Sequence, residues 1–307
     1  MFSNDTAFKG VFAVFIASVL WGTTGTAASF IPEVSPVAIG AFAMTLGGLL
    51  LVITAHINLL KDKQRLRSQL SVIFLGGLSV AVYPLAFYSS MRFSGVAIGT
   101  LISIASAPFF TVLLERFISK KPIRIQWIVS FMFGVVGVAL LALGKVDDLA
   151  LSQSQSLKYW GIILGLIAGL TYGMYSWSAR QMIETGISSN SAMASMFGIA
   201  ALLLLPVLIL TGSNLFSDVS HTMVAFYMAI IPMFLGYLCF GYGLKSIAAS
   251  KATLITLLEP VVATFFAIMI VDERFNIAGW YGMAFITVCL LLQLVKFPAF
   301  KLQNTKI

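Results

Sequence analysis

Ten apolar runs of about twenty residues recur along this chain. Each is long enough to cross the roughly 30 Å hydrocarbon core of a bilayer as a helix rising about 1.5 Å per residue. They lie at residues 10–30, 36–57, 69–89, 95–115 and 125–144, and then at 159–180, 191–211, 223–244, 252–271 and 278–297. A soluble fold with an oversized core is excluded by composition. Hydrophobic residues make up 59% of the 307 and charged residues 10%, with a mean hydropathy of +0.99, whereas a soluble domain carries about 25% charged residues to cover its surface. A ten-strand barrel is excluded by pattern, because the runs are continuous and not alternating. The expected fold is an all-α polytopic membrane protein with ten transmembrane helices. The first run, which follows Lys9 and ends near "GTAAS", imitates a cleavable signal peptide but is matched later in the chain, so it is counted as the first span.

The net charge of +8 does not call for nucleic acid, because the basic residues are placed by topology. Lys61, Lys63, Arg65 and Arg67 separate spans two and three, and Arg116, Lys120, Lys121 and Arg124 separate spans four and five. Arg180, Lys245, Lys251, Lys296, Lys301, Lys306 and Lys9 fall on the same side. Only Arg92, Lys145, Lys158 and Arg274 fall on the other, together with Glu33, Asp147, Asp148, Asp218, Asp272 and Glu273. The excess of lysine and arginine in short loops predicts that both termini are cytoplasmic. Cys239 and Cys289 sit inside apolar runs and serve as small hydrophobes, with no metal spacing and no disulfide framework.

The chain also resembles itself. "LKYWGIILGLIAGLTYGMYSWSARQMIE" overlays "FKGVFAVFIASVLWGTTGTAASFIPE" at an offset of 151 residues, setting Tyr172-Gly173 on Trp21-Gly22 and Glu184 on Glu33. An offset one residue longer sets Pro260 on Pro108 and Glu259 on Ala107. The halves are residues 1–150 and 151–307, joined by the polar linker "KVDDLALSQSQSLK". Five spans is an odd number, so the second copy crosses in the opposite sense. This is the inverted 5+5 repeat found in transporters, whose similar halves exchange inward-open and outward-open shapes.

Candidate site residues follow from what is unusual inside an apolar run. Glu259 lies near the middle of the ninth span, where a carboxylate is expensive unless it faces water or a partner. It is read either as a proton-coupling or substrate-amine site, or as a structural acceptor for a neighbouring helix. Pro108 and Pro260 each remove a backbone hydrogen bond and bend their helices, as do Pro84 and Pro232 in spans three and eight. Gly161, Gly165, Gly169 and Gly173 recur every fourth residue along span six and favour close helix packing. Trp21, Tyr83, Phe87, Tyr88, Tyr172, Tyr175, Trp177, Tyr237 and Tyr242 are candidates for the wall of an amphipathic cavity, with lipid contact or core packing as the alternative for each. Lys251 is read as snorkelling to the membrane surface. No nucleotide-binding loop, zinc motif or nucleophile–base pair is present, so no cofactor, metal or catalytic residue is expected.

The stretches "FIASVLWGTTGTAASF", "ASAPFFTVLLERFISKKPIRIQWI" and "AASKATLITLLEPVVATFFAIMIVDERFNIAGWYGMAFI" resemble the EamA branch of the drug/metabolite transporter superfamily over about residues 10–297. That resemblance implies ten helices in an inverted-repeat basket around a central cavity. It also implies export of amino acids, related metabolites or drugs. Glu259-Pro260 matches the family's Glu-Pro, and Glu273 the glutamate after span nine. Lys121 stands where a glutamate is common, and Ala107 precedes Pro108, which weakens any role needing charged pairs in both halves.

The expected function is therefore secondary transport, driven by a gradient (proton coupling included) or by exchange, and exporting amino acids, with aromatic or hydrophobic ones suited to the aromatic interior. A multidrug or metabolite exporter, an uptake permease and a membrane-embedded lipid-modifying enzyme are the alternatives. The expected location is the bacterial inner (plasma) membrane. Expected partners are a small-molecule substrate and membrane lipids, with no nucleic acid. A monomer suffices, since both halves needed for a cavity lie in one chain; a homodimer stays open.

Overall fold

The computed structural model describes residues 4–144, 155–272, 274 and 276–294. Ten helices long and apolar enough to span a bilayer fill it, at Asp5–Ser29, Pro36–Thr54, Leu70–Ser94, Ile98–Phe117, Ile125–Gly144, Gln155–Glu184, Ser189–Thr211, Val219–Leu244, Ala249–Ile270 and Ile277–Leu294. We number them spans one to ten. All ten expected spans are present. The sixth begins four residues before its sequence-based start, so the end of the expected polar linker is helical; the rest of that linker, Glu273, Lys296, Lys301 and Lys306 lie outside the described residues. The segment "KDKQRLR", expected as a loop, instead lies largely within two short helices, His56–Lys61 and Lys63–Arg67.

The packing repeats between halves. Span three packs on span six as span one packs on span eight, and span four packs on span six as span one packs on span nine. Spans two and seven pair with each other, as do five and ten. Exchanging the halves leaves this set unchanged. The backbone carries the same signature: the only described non-glycine residues with positive φ are Lys120 (57°) and Asp272 (59°). These follow spans four and nine at the offset that sets Pro260 on Pro108. Such a conformation is uncommon outside glycine, so its recurrence at matched positions is a structural counterpart of the sequence repeat.

Small residues let the spans approach closely where lipid gives helices no hydrophobic reason to associate. A Cβ at Gly161, Gly165, Gly169 or Gly173 would fall within 3.0 Å of atoms of spans three and four, with Ser94, Ser90, Ser106 and Thr111 among the nearest neighbours. The glycine stripe read from the sequence is thus the seam that carries span six.

Two spans break in the membrane. Span nine is interrupted at Thr256-Leu257, between helices Ala249–Ile255 and Leu258–Ile270. Pro260 has no N–H for the Thr256 carbonyl four residues back. The Glu259 N–H takes that carbonyl instead at 2.9 Å, tightening the turn. Glu259 then stands in the first turn of a new helix, where the backbone dipole favours negative charge. In span eight, Ala229–Leu235 around Pro232 is π-helical, and the Trp21 indole N–H donates to the Pro232 carbonyl at 2.8 Å. The loosened turn is thereby tied to span one.

At the end of the bundle that carries most of the basic residues (the basic end), the short helices after span two clamp the turn between spans six and seven. Arg65 donates to the Gly186 carbonyl at 2.6 Å, and the Ser188 N–H donates to Asp62 at 3.0 Å. Burial pushes the Asp62 carboxyl up, but the Ser188 and Ser191 hydrogen bonds and the Arg65 charge outweigh it and hold the group below its ordinary 3.8. A depressed carboxyl stabilises the fold above its unfolded value and loses that contribution as pH falls through its folded one. Asp62→Asn is expected to cost about 1 kcal/mol at pH 7. In paired thermal melts, the gap to the parent should narrow once pH falls below the ordinary 3.8; a gap independent of pH would remove the charge from the explanation.

Candidate transport cavity

A cavity of about 420 Å3 lies between spans one, two, three, four, five, eight and nine. Its mouth is set by Ser29, Pro36, Met91, Val96 and Val271, at the end opposite the basic one. Its lining extends into the bundle as far as Trp21, Met228, Glu259 and Pro260. A second cavity of about 60 Å3 continues from there, sharing Trp21, Thr24, Phe87, Tyr88, Met228 and Glu259 with the first. Tyr83, Tyr172, Tyr175 and Tyr237 close in around this lower chamber.

These aromatic residues form one continuous layer. Tyr172 stacks on Tyr175 with ring centres 5.1 Å apart, Tyr83 meets Tyr172 edge-on at 5.3 Å, and Trp21 leans on Tyr237 at 4.8 Å. Tyr172 donates to Thr256 at 2.9 Å, beside the break in span nine, and the Tyr175 and Tyr237 hydroxyls lie 3.3 Å apart. Edge-to-face and offset contacts of this kind add about 0.5–1.5 kcal/mol each beyond burial, so the layer is a rigid floor.

Beyond that floor the basic end is shut by contacts between the halves and, around Arg180, by contacts within the second half. The buried Glu115, at the end of span four, accepts from the Ala249 N–H at 3.0 Å and from the Ser250 hydroxyl, capping the start of span nine. Trp177 and Gln181 of span six both donate to the Ser119 hydroxyl, at 2.8 and 2.6 Å. Arg180 donates to the Leu244 carbonyl, and Glu184 pairs with Arg180 at 2.7 Å and with Lys121 at 2.6 Å. The Glu184 pairs are partly exposed and contribute little, under about 1 kcal/mol each; the buried Glu115 contacts are the stronger ones.

Of the residues singled out in the sequence, Trp21, Tyr83, Phe87, Tyr88, Tyr172, Tyr175, Tyr237, Glu259 and Pro260 line one or both cavities. Three others lie elsewhere. Trp177 is one of the basic-end contacts, and Tyr242 is 46% exposed with the Lys245 ammonium 5.2 Å from its ring. Each sits five residues beyond a cavity tyrosine, Tyr172 or Tyr237, which turns it by about 140° and moves it about 7.5 Å towards the basic end. Pro108 is buried in span four outside both linings. Lys251, near the basic end of span nine, donates to the Gln293 carbonyl near the basic end of span ten at 2.7 Å.

Glu115, Ser119 and the cavity hydroxyls Thr24, Thr26, Thr100 and Thr264 are functional candidates that only the structure brings out. Glu115 had a usable signal: it is an acid on the side where basic residues collect, as are Asp62 and Glu184. Each of these three joins one span or its extension to another.

Ten spans built as two similar halves, around a blind amphipathic cavity open at one end, define a multi-pass membrane transporter. The EamA-like transporter family model matches the chain twice, over residues 8–143 and 159–295, and the chain belongs to that family. The uncharacterized transporter YwfM of Bacillus subtilis is 28% identical over 280 residues, covering 91% of each chain. The uncharacterized inner membrane transporter YicL of Salmonella typhimurium is 24% identical over 295 residues, covering 92% of this chain and 94% of its own. A solved crystal structure at 18% identity shares the fold, with a TM-score of 0.76 over 92% of this chain and 95% of that one.

Proposed function

We propose that this transporter exports small amphipathic metabolites, amino acids with aromatic or hydrophobic side chains first among them, by alternating access across the inner membrane. Both termini are cytoplasmic in this reading, following the basic loops, and residues 1–150 and 151–307 act as oppositely oriented halves. Transport is driven by a gradient or by exchange, with Glu259 the candidate proton carrier.

One observation carries the proposal: the open mouth is built from the repeat mates of the residues that close the other end. Trp177 and Ser119, in contact at the basic end, match Thr26 and Val271, and Arg180 matches Ser29. All three mates line the open cavity. A molecule of this construction reaches its opposite state by trading contacts between matched positions, which is the logic of alternating access. The aromatic floor makes a continuous channel a poor fit, since cargo has to wait for the layer to part. The volume suits a small organic solute, and the wall offers rings and hydroxyls in place of charge clusters.

Purified protein in liposomes preloaded with unlabelled amino acid is expected to show transient accumulation of the labelled form of the same amino acid, strongest for phenylalanine, tyrosine or leucine. Absence of counterflow across an amino-acid panel, in either gradient direction, would overturn the amino-acid reading; counterflow of cationic dyes alone would replace it with a multidrug one.

A further inference from the structure

Polarity within the two cavities is one-sided. Glu259 stands where they meet, and no lysine, arginine or histidine is among the described residues lining either one. Among the described residues, no hydrogen bond or ion pair reaches its carboxylate. A purely structural carboxylate in a span requires such donors, because an uncompensated charge away from water is costly.

The remaining polar groups have mostly committed their protons. Thr24 donates to the Trp21 carbonyl at 2.8 Å, Ser29 to Thr26 at 2.8 Å and Thr264 to Pro260 at 2.8 Å, each within its own helix. Thr100 is turned to the Met91 sulfur at 3.3 Å, and the Trp21 N–H is held by Pro232. What these groups leave towards the cavity is lone pairs. Around the carboxylate stand the rings of Trp21, Phe87 and Tyr88, whose electron-rich faces attract cations. A negative charge, a set of acceptors and aromatic faces make a receptor for a positively charged donor. Among the described residues they offer no positive charge to balance an organic anion.

We propose that the cavity holds its cargo by a cationic nitrogen on Glu259, so that the substrate class is solutes with an ammonium group and an apolar body. The three N–H bonds of an ammonium meet the carboxylate and the neighbouring oxygens, while the body lies along the apolar wall towards the mouth. Zwitterionic amino acids qualify through their ammonium end, and their decarboxylated amines qualify at least as well. The inference rests on the reading above only in taking this cavity as the cargo site.

Three probes share one aromatic body and differ in charge: phenethylamine, L-phenylalanine and 3-phenylpropionate. Neutral 2-phenylethanol is the control. Binding to the full-length protein in nanodiscs, followed by thermal shift and calorimetry, should rank phenethylamine at or above phenylalanine. Both should bind at least about tenfold more tightly than 3-phenylpropionate, as expected where a desolvated charge pair is made or left unmade. Glu259→Gln should reduce phenethylamine binding by about tenfold or more and leave 2-phenylethanol unchanged; the unchanged control shows that the cavity still folds. Glu259→Asp should keep the order of the probes. The inference is overturned if 3-phenylpropionate binds as well as the amine, if Glu259→Gln keeps the charge preference, or if no probe binds. If the amine binds with this preference while no amino acid shows counterflow, the inference stands and the export reading alone fails.

Discussion

Glu115→Ala is expected to open the basic end and to abolish coupled transport, although residue 115 lies in neither cavity lining. The substitution leaves the buried Ala249 N–H and Ser250 hydroxyl without the acceptor they now share. An unsatisfied buried donor costs about 1–3 kcal/mol. Both donors lie in the first turn of span nine, so the cost falls on the state in which spans four and nine meet at that end. A bias of about 2 kcal/mol changes the ratio of two conformations roughly thirtyfold. In hydrogen exchange, backbone amides of residues 249–253 should exchange faster by about that factor, with smaller changes at the opposite end. Glu115→Gln keeps an acceptor and should restore part of the protection. Uniform loss of protection across the chain would make Glu115 an ordinary fold determinant, and unchanged exchange with normal counterflow would remove it from the closure altogether.

The repeat explains why one residue can matter this much. Glu115 and Ser250 match Ala267 and Ile98 in the opposite halves, and Ala267 lines the open cavity. The second end therefore has no polar latch at the matched place. Two similar halves would make two equivalent closed ends if their sequences agreed there. The acid is present at one end only, and the structure is shut at that end. In the proposed alternating-access cycle, the energy difference between the two states is set where the halves diverge, not where they agree.

That division also decides what could be read in advance. Apolar runs of span length and the glycine stripe of span six are collective patterns, repeated often enough to survive any single exception; the runs placed the ten spans and the stripe marked the seam of span six. Glu259-Pro260 was legible as an anomaly within such a pattern. The rotation of a helix that is apolar on most faces is not legible in this way: Tyr172 and Trp177, or Tyr237 and Tyr242, look alike in sequence and differ only in the face and depth their helices give them. Glu115 was hidden for another reason. At the end of a span an acid reads as a surface residue, and its partners, a backbone N–H and a serine, lie more than a hundred positions away.

Gly282→Leu is expected to separate span ten from span five and to lose the folded protein. The two backbones meet at Gly137 and Gly282: a Cβ on Gly282 would stand 2.5 Å from the Leu141 nitrogen and 2.6 Å from the Gly137 carbonyl oxygen. These are main-chain atoms with no rotamer to change, so the helices must move apart. In lipid, packing between helices is itself the main force that joins them. Span ten has span five as its principal neighbour, so little else would hold it. Even Gly282→Ala should be destabilising by about 1–3 kcal/mol, the usual cost of overpacking. Gly198→Ala is the informative comparison, because its added Cβ would meet only the Val52 side chain, at 2.9 Å, which can turn away. Thermal melts and size-exclusion profiles should put Gly198→Ala near the parent, Gly282→Ala well below it and Gly282→Leu without a monodisperse peak. Where some Gly282→Ala protein does fold, cargo binding should be weakened too, since Val138, Leu141 and Ala142 of the displaced span line the cavity. Equal midpoints for the two alanine variants would show that spans five and ten are not held by this backbone contact.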